Sequence, residues 1–128
     1  MRRAWFLVPA LVLMACVSSA RAQDAAKVDP KHYKVEFEND QVRVLRINYG
    51  PHEKSVMHSH PNSVATFLTD GHVQFTMPDG TKKEASVKAG QIMWEDAGPH
   101  LPENLGDAPF ELVLVELKTP AAAAAATK

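Results

Sequence analysis

A chain of 128 residues has room for one domain and excludes a multidomain machine. Its formal charge is −1, from 14 basic and 15 acidic residues, but residues 1–22 hold three arginines and no acid, so the remainder carries 11 against 15, a balance of −4. That is the wrong sign for a protein held on nucleic acid by phosphate neutralisation. The only cysteine, Cys16, lies in the same leading stretch, so the rest of the chain has no thiol nucleophile, disulfide or thiolate metal site.

Residues 1–22 read as a secretory signal. Arg2 and Arg3 form a positive start, Ala4 to Ala15 an apolar core, and Ala20-Arg21-Ala22 a small-x-small cleavage site before Gln23. An anchor needs roughly 20 apolar residues to span a bilayer, so no transmembrane segment is expected in the mature form. A second reading stands beside cleavage after Ala22: Leu13-Met14-Ala15-Cys16 resembles a lipobox, which would leave the protein lipid-anchored through Cys16. Both readings place the folded part outside the cytoplasm, periplasmic or secreted.

Residues 23–31 are polar and Ala-rich with Pro30, and read as a linker or flexible start. The core is then residues 32–118, which should bury roughly 60–70% of its unfolded surface. Tyr33 to Phe37 alternates apolar and charged residues, and Val42 to Ile47 is rich in Val, Leu and Ile. Val64 to Leu68 and His72 to Met77 flank Thr69-Asp70-Gly71; Pro78-Asp79-Gly80 predicts a turn, with Thr81 to Val87 as the returning arm of a hairpin. Gln91 to Glu95 is short, and Phe110 to Leu117 is the longest apolar run, fit for a strand buried on both faces. Residues 119–128 form an Ala-rich tail that specifies no packing. About eight short strands without an amphipathic helix predict an all-β antiparallel sandwich or small barrel.

Three of six histidines have spacing that bears on chemistry. In an extended segment His58 and His60 project from one face, about 7 Å apart along the strand. His100 follows Gly98-Pro99, where a loop would return it to the same place. Three imidazoles with an open position suit a catalytic or exchangeable divalent site, although surface histidines on an exposed strand would have the same spacing.

From Gly50 to Asn104 the chain resembles the cupin superfamily, with small exported cupin-domain proteins the nearest in kind. The family's first motif runs G-x5-H-x-H, three or four residues, E, six residues, G; here Gly50 is followed by His58, Ser59, His60, Val64 and Gly71. Its second, G-x5-P-x-G-x2-H-x3-N, is matched by Gly90, Asp96, Gly98, His100 and Asn104, with one residue missing before His100. The resemblance implies a jelly-roll or double-stranded β-helix fold and metal ligands His58, His60 and His100. Val64 stands in the slot of the usual glutamate ligand, so the remaining donor set is neutral and favours Fe, Zn, Ni or Cu over oxygen-seeking ions.

No catalytic residue is assignable. Glu95 and Gln74 are candidates to replace the missing ligand, with outer-face exposure the plainer account, and Glu53 and Glu103 lie near the ligands as acceptors for an imidazole N–H. Met57, Phe67, Phe75, Met77 and Trp94 would line a pocket or simply pack the core. His52 and His72 read as surface residues, His32 lies beside the linker, and Asn104 holds a turn. Three functions stay open: a metal-dependent, dioxygenase-like enzyme on a small organic molecule, a non-catalytic metal or small-ligand binding module, and a metal-free pocket. Edge strands left by a small barrel make a homodimer plausible.

Overall fold

Alternating apolar residues between Gly, Pro and Asp turns fold into strands throughout the computed structural model, which describes residues 23–119. The expected leader, its Cys16 and the chain from residue 120 onward lie outside the described residues. After a single helical turn, α1 (Ala25–Val28), come β1 (Tyr33–Glu38), β2 (Val42–Tyr49), β3 (His58–His60), β4 (Ser63–Phe67) and β5 (Gly71–Thr76). β6 (Lys82–Val87), β7 (Ile92–Glu95), β8 (Gly98–Asn104) and β9 (Phe110–Leu117) complete the chain. None of the described helices is long and apolar enough to cross a membrane.

The named strands pair antiparallel throughout, and they form a five-stranded sheet, β1-β2-β9-β4-β7, and a four-stranded one, β3-β8-β5-β6. This is the expected all-β jelly-roll. Leu45, Ile47, Ala65, Phe67, Leu112 and Leu114 from the first sheet and Val73 and Val87 from the second form the core. At the Pro78-Asp79-Gly80 turn Gly80 has φ +84°, and the Asp79 carboxylate accepts from the Thr81 N–H and hydroxyl.

Three expectations are corrected. Phe110–Leu117 is not buried on both faces: Phe110, Leu112, Leu114 and Glu116 are buried while Val113 and Val115 are only partly covered, the alternation of a sheet with one solvent side. His100 sits in strand β8 and not in a loop. Gly98, Pro99 and Pro102 gave that stretch a loop's composition, but β8 pairs with β3 through its first half and with β5 through its second, an edge-like arrangement that tolerates proline.

The third concerns residues 23–31, which are no free linker. Asp24 caps α1 by accepting the Ala26 N–H at 3.0 Å, Ala25 is fully buried and Asp29 is buried. The Gln23 carbonyl accepts the Ser59 N–H at 2.8 Å, and Asp24 bridges to Ser59 in parallel. Composition hid this because the segment is held by polar contacts, which carry no hydrophobic period.

Candidate metal centre

Strand pairing, and not a loop, assembles the three histidines. His58 and His60 are two apart on β3 and both face inward, at 1% and 7% exposure, while the β3–β8 register sets His58 directly opposite His100. The rings are 4.8 Å (His58–His60), 5.0 Å (His58–His100) and 5.3 Å (His60–His100) apart between centroids, at steep mutual angles. Phe75 stacks on His100 at 5.2 Å, and the Tyr33 ring lies 4.8 Å from that of His58.

Hydrogen bonds at Nδ1 fix the ring orientation of His58 and His60. His58 Nδ1 is 2.8 Å from the Val56 carbonyl, which only accepts, so the proton is on Nδ1 and Nε2 carries a lone pair. His60 Nδ1 likewise donates to Glu116 Oε1 at 2.7 Å. Nε2 of His58 and Nε2 of His100 are buried with no hydrogen-bond partner among the described residues. An unpartnered buried polar nitrogen costs roughly 1–3 kcal/mol, so two of them, on rings 5.0 Å apart, call for a ligand.

Electrostatics favour the neutral form of two of the rings. Burial, helped by the neighbouring His60, pushes His58 down to about 4; burial again, with His60 and His58 nearby, pushes His100 down to about 3. Burial raises Glu116, but hydrogen bonds from His60 and Arg43 outweigh it and hold the carboxyl below its usual range.

This donor set fits a divalent first-row ion: three imidazoles, with unpartnered Nε2 atoms on His58 and His100 and Nδ1 anchored on the far side of His58 and His60. One ligating atom from each ring lies within 4.8 Å of the others. Ligands sharing an ion at bonds near 2.1 Å stand roughly 3–4 Å apart, so closing onto it takes a contraction of about 1–2 Å at most, within reach of side-chain rotation.

The missing glutamate is explained differently from the sequence reading. Alternation along β4 turns Ser63, Ala65 and Phe67 inward and leaves Val64 outward, between Val115 and Trp94. The inward residue beside the expected slot is therefore Ala65, which lines the barrel cavity. A carboxylate reaches that cavity from the next strand: Glu95 on β7 is paired with Ser63 and is half-buried, not turned to the outer face. Burial raises the Glu95 carboxyl above its usual range, with His60 opposing and Asp96 reinforcing the shift.

The cavity has a volume of about 60 Å³ and is mostly apolar, bounded by Tyr33, Phe67, Phe75 and Leu114 with His60, Glu95 and His100 at its polar side. Met57, Met77 and Trp94 are not in its wall. Gln74 is buried but bonds Glu103 at 3.4 Å, and Glu53 bonds His32 at 2.9 Å, so neither Glu53 nor Glu103 hydrogen-bonds one of the three cluster histidines. Glu116, Ser55 and Val56 hold the imidazoles instead. Glu116 is a lone acid in an apolar strand on its inward parity, a pattern visible in the sequence.

His52 and His72 are surface residues paired with Asp107 and Glu84. His32 is buried, stacked on Tyr49 at 4.4 Å between Asp29 and Glu53. Asn104 holds its turn as expected, donating to the Gly50 and Ala108 carbonyls and accepting the Gly106 N–H.

Residues 45–116 match the family model described as Cupin domain. A cupin domain from Bordetella pertussis Tohama I superposes with a TM-score of 0.64 at 24% identity, covering 68% of this chain and 92% of that one. A Klebsiella pneumoniae protein with a double-stranded β-helix domain gives 0.55 at 22% identity, covering 77% and 90%. Among curated protein sequences none matches the chain.

Proposed function

The chain belongs to the cupin family, and on that premise we propose that it is an exported metal-binding cupin acting on a small organic molecule at His58, His60 and His100. The observation that carries this reading is the pair of buried, unpartnered Nε2 atoms in a cluster whose His58 and His60 are anchored through Nδ1. Fe, Zn, Ni or Cu bound there supplies Lewis acidity and, for Fe or Cu, one-electron chemistry. The chain's residues orient and seclude the substrate: Tyr33, Phe75 and Leu114 exclude water, while Glu95, its carboxyl raised by burial, is placed to hold or take a proton at its carboxylate oxygen.

A non-catalytic metal or small-ligand module is the second reading, favoured by the cavity's 60 Å³, far below the roughly 300–1,000 Å³ of drug-sized ligand sites. Metal analysis of protein purified without an affinity tag tests the centre, which is refuted if His58→Ala and His100→Ala carry as much metal as the parent. Oxygen uptake with diketones, flavonols and thiols then divides the readings, since a pure binder consumes none. Export is tested by the mass of the processed chain: a start at Gln23 supports signal cleavage, a lipidated Cys16 the anchored form.

A homodimer is part of the proposal, through a sheet face and not an edge. Phe37, Val44, Val115, Val64 and Trp94 are successive register partners and form one apolar row across all five strands of the larger sheet. Phe37 and Trp94, at its two ends, are 54% and 53% exposed. A second copy laid on the same row would bury it.

A further inference from the structure

Two of the three imidazoles are held by hydrogen-bonded chains that begin in the same short segment. The first runs from Asp24, whose carboxylate accepts from Arg43 at 2.6 and 3.2 Å; Arg43 Nε donates to Glu116 Oε2 at 2.6 Å, and Glu116 Oε1 accepts from His60 at 2.7 Å. The second runs from Asp29, which accepts the Ser55 hydroxyl at 2.5 Å; Ser55 Oγ lies 3.2 Å from His58 Nδ1 and shares its proton with the Val56 carbonyl. The segment is also stitched to the ligand strand itself, by the Ser59 N–H on the Gln23 carbonyl.

Charge follows the same paths. Imidazole ligands bring no negative charge to offset a divalent ion. Asp24 and Glu116 share the single guanidinium of Arg43, one positive charge against two negative, and Asp29 has no lysine or arginine partner among the described residues; Glu116 and Asp29 are each linked to a ligand ring. Asp24 matters because it shares Arg43: without it the guanidinium would act on Glu116 alone and weaken Glu116 as the acceptor that makes His60 a better donor.

We infer that residues 23–33 are a positioning arm of the metal centre, which sets the tautomer, orientation and charge balance of His60 through Asp24–Arg43–Glu116 and of His58 through Asp29–Ser55. This rests on the metal-binding reading above. It assigns a role to a segment whose composition is that of a linker and to Asp24, a residue that touches no ligand.

The test is a Co(II) titration of the full chain, purified untagged and stripped with EDTA, read by visible absorption and by competition with a chelator. Glu116→Gln is expected to bind about 10- to 100-fold more weakly, and Asp24→Asn and Ser55→Ala at the lower end of that range. Asp24→Glu should restore most of the loss, and Glu36→Gln, at an exposed pair with Arg46, should bind as the parent does. An altered Co(II) band in Asp24→Asn, with metal-free melting near the parent's, supports the arm. If Asp24→Asn and Ser55→Ala bind as tightly as the parent, or lose affinity only in step with folded fraction and keep the parent's band, the arm is a structural strap and the inference falls while the metal centre stands. A parent that takes up no Co(II), or a His58→Ala variant that binds like it, overturns the metal-binding reading and the arm together.

Discussion

His58 and His100 are direct cross-strand partners with their rings perpendicular, and each keeps a buried Nε2 that no other group among the described residues satisfies. In the metal-free protein this is a standing cost. His100→Phe should remove a ligand, keep the stack on Phe75 and relieve that cost. The metal-free variant is expected to melt higher than the metal-free parent, by an amount corresponding to roughly 1–3 kcal/mol less whatever the larger ring loses in fit. Calorimetry with and without Zn(II) checks both halves: the ion should raise the parent's melting temperature and leave the variant's unchanged.

Acid should unfold the metal-free protein earlier than its carboxylates alone would. His58 and His100 sit at about 4 and about 3 in the folded state, against an ordinary value near 6.5 in the unfolded chain. Below pH 6.5 the unfolded chain therefore binds protons that the folded one refuses, and stability falls with pH until the folded rings also titrate. Each ring contributes a slope of up to about 1.4 kcal/mol per pH unit in that window. Asp24 and Glu116, both held low, add their loss only below their ordinary range near pH 4. Melting temperature against pH should decline between pH 6.5 and 5, and His58→Gln combined with His100→Phe should flatten that stretch; a parent curve flat to pH 5 would contradict neutral burial.

The strands and the three histidines were legible because both depend on short-range pattern: period-two alternation, turn residues and the two-residue spacing of His58 and His60. What escaped depends on parity or on polar contacts. Val64 occupies the glutamate slot by count, yet on β4 it shares parity with Thr66 and faces outward, so Ala65 is the inward residue. That His100 lies in a strand and not a loop was hidden by its proline-rich surroundings. The arm was hidden because Asp24 and Asp29 act through Arg43 and Ser55, partners 19 and 26 residues away with no sequence period to mark them.

Gly71 should resist substitution for a reason of space. A Cβ built there would lie 2.5 Å from Cε2 of Phe110, whose buried ring packs on Phe67 at 5.8 Å. Overpacking of this kind costs about 1–3 kcal/mol, and each kcal/mol lowers the melting temperature of a domain this size by roughly 4–8 °C. Gly71→Ala is expected to melt lower accordingly, and Phe110→Leu, which vacates the space, should make the pair less damaging than the sum of the two changes.

The apolar row on the larger sheet makes the dimer testable at one residue. Trp94 is the only tryptophan among the described residues, and with its neighbour Ile92, 67% exposed, it ends the row at β7. If two copies meet on this face, light scattering should report twice the chain mass for the parent and one chain mass for Val115→Lys, with Trp94 emission moving to longer wavelength as it meets water. Melting of the Val115→Lys protein should remain cooperative, since Val115 lies outside the core. A parent that is monomeric at high concentration sinks the dimer without touching the metal centre.

Glu95 separates an enzyme from a binder. It is the carboxylate that β7 turns toward the cavity beside His60, and burial keeps its proton affinity above that of an exposed glutamate. It lies outside the cluster formed by His58, His60 and His100, so Glu95→Gln should leave metal content near the parent's. If the substrate's proton passes through this oxygen, turnover should fall by about 10²- to 10⁴-fold, the range for loss of a positioned acid or base. Glu95→Asp, with a shorter reach, should recover part of it and shift the pH profile. Equal oxygen uptake by Glu95→Gln and the parent, at equal metal content, would remove Glu95 from the chemistry and leave the three histidines alone responsible for it.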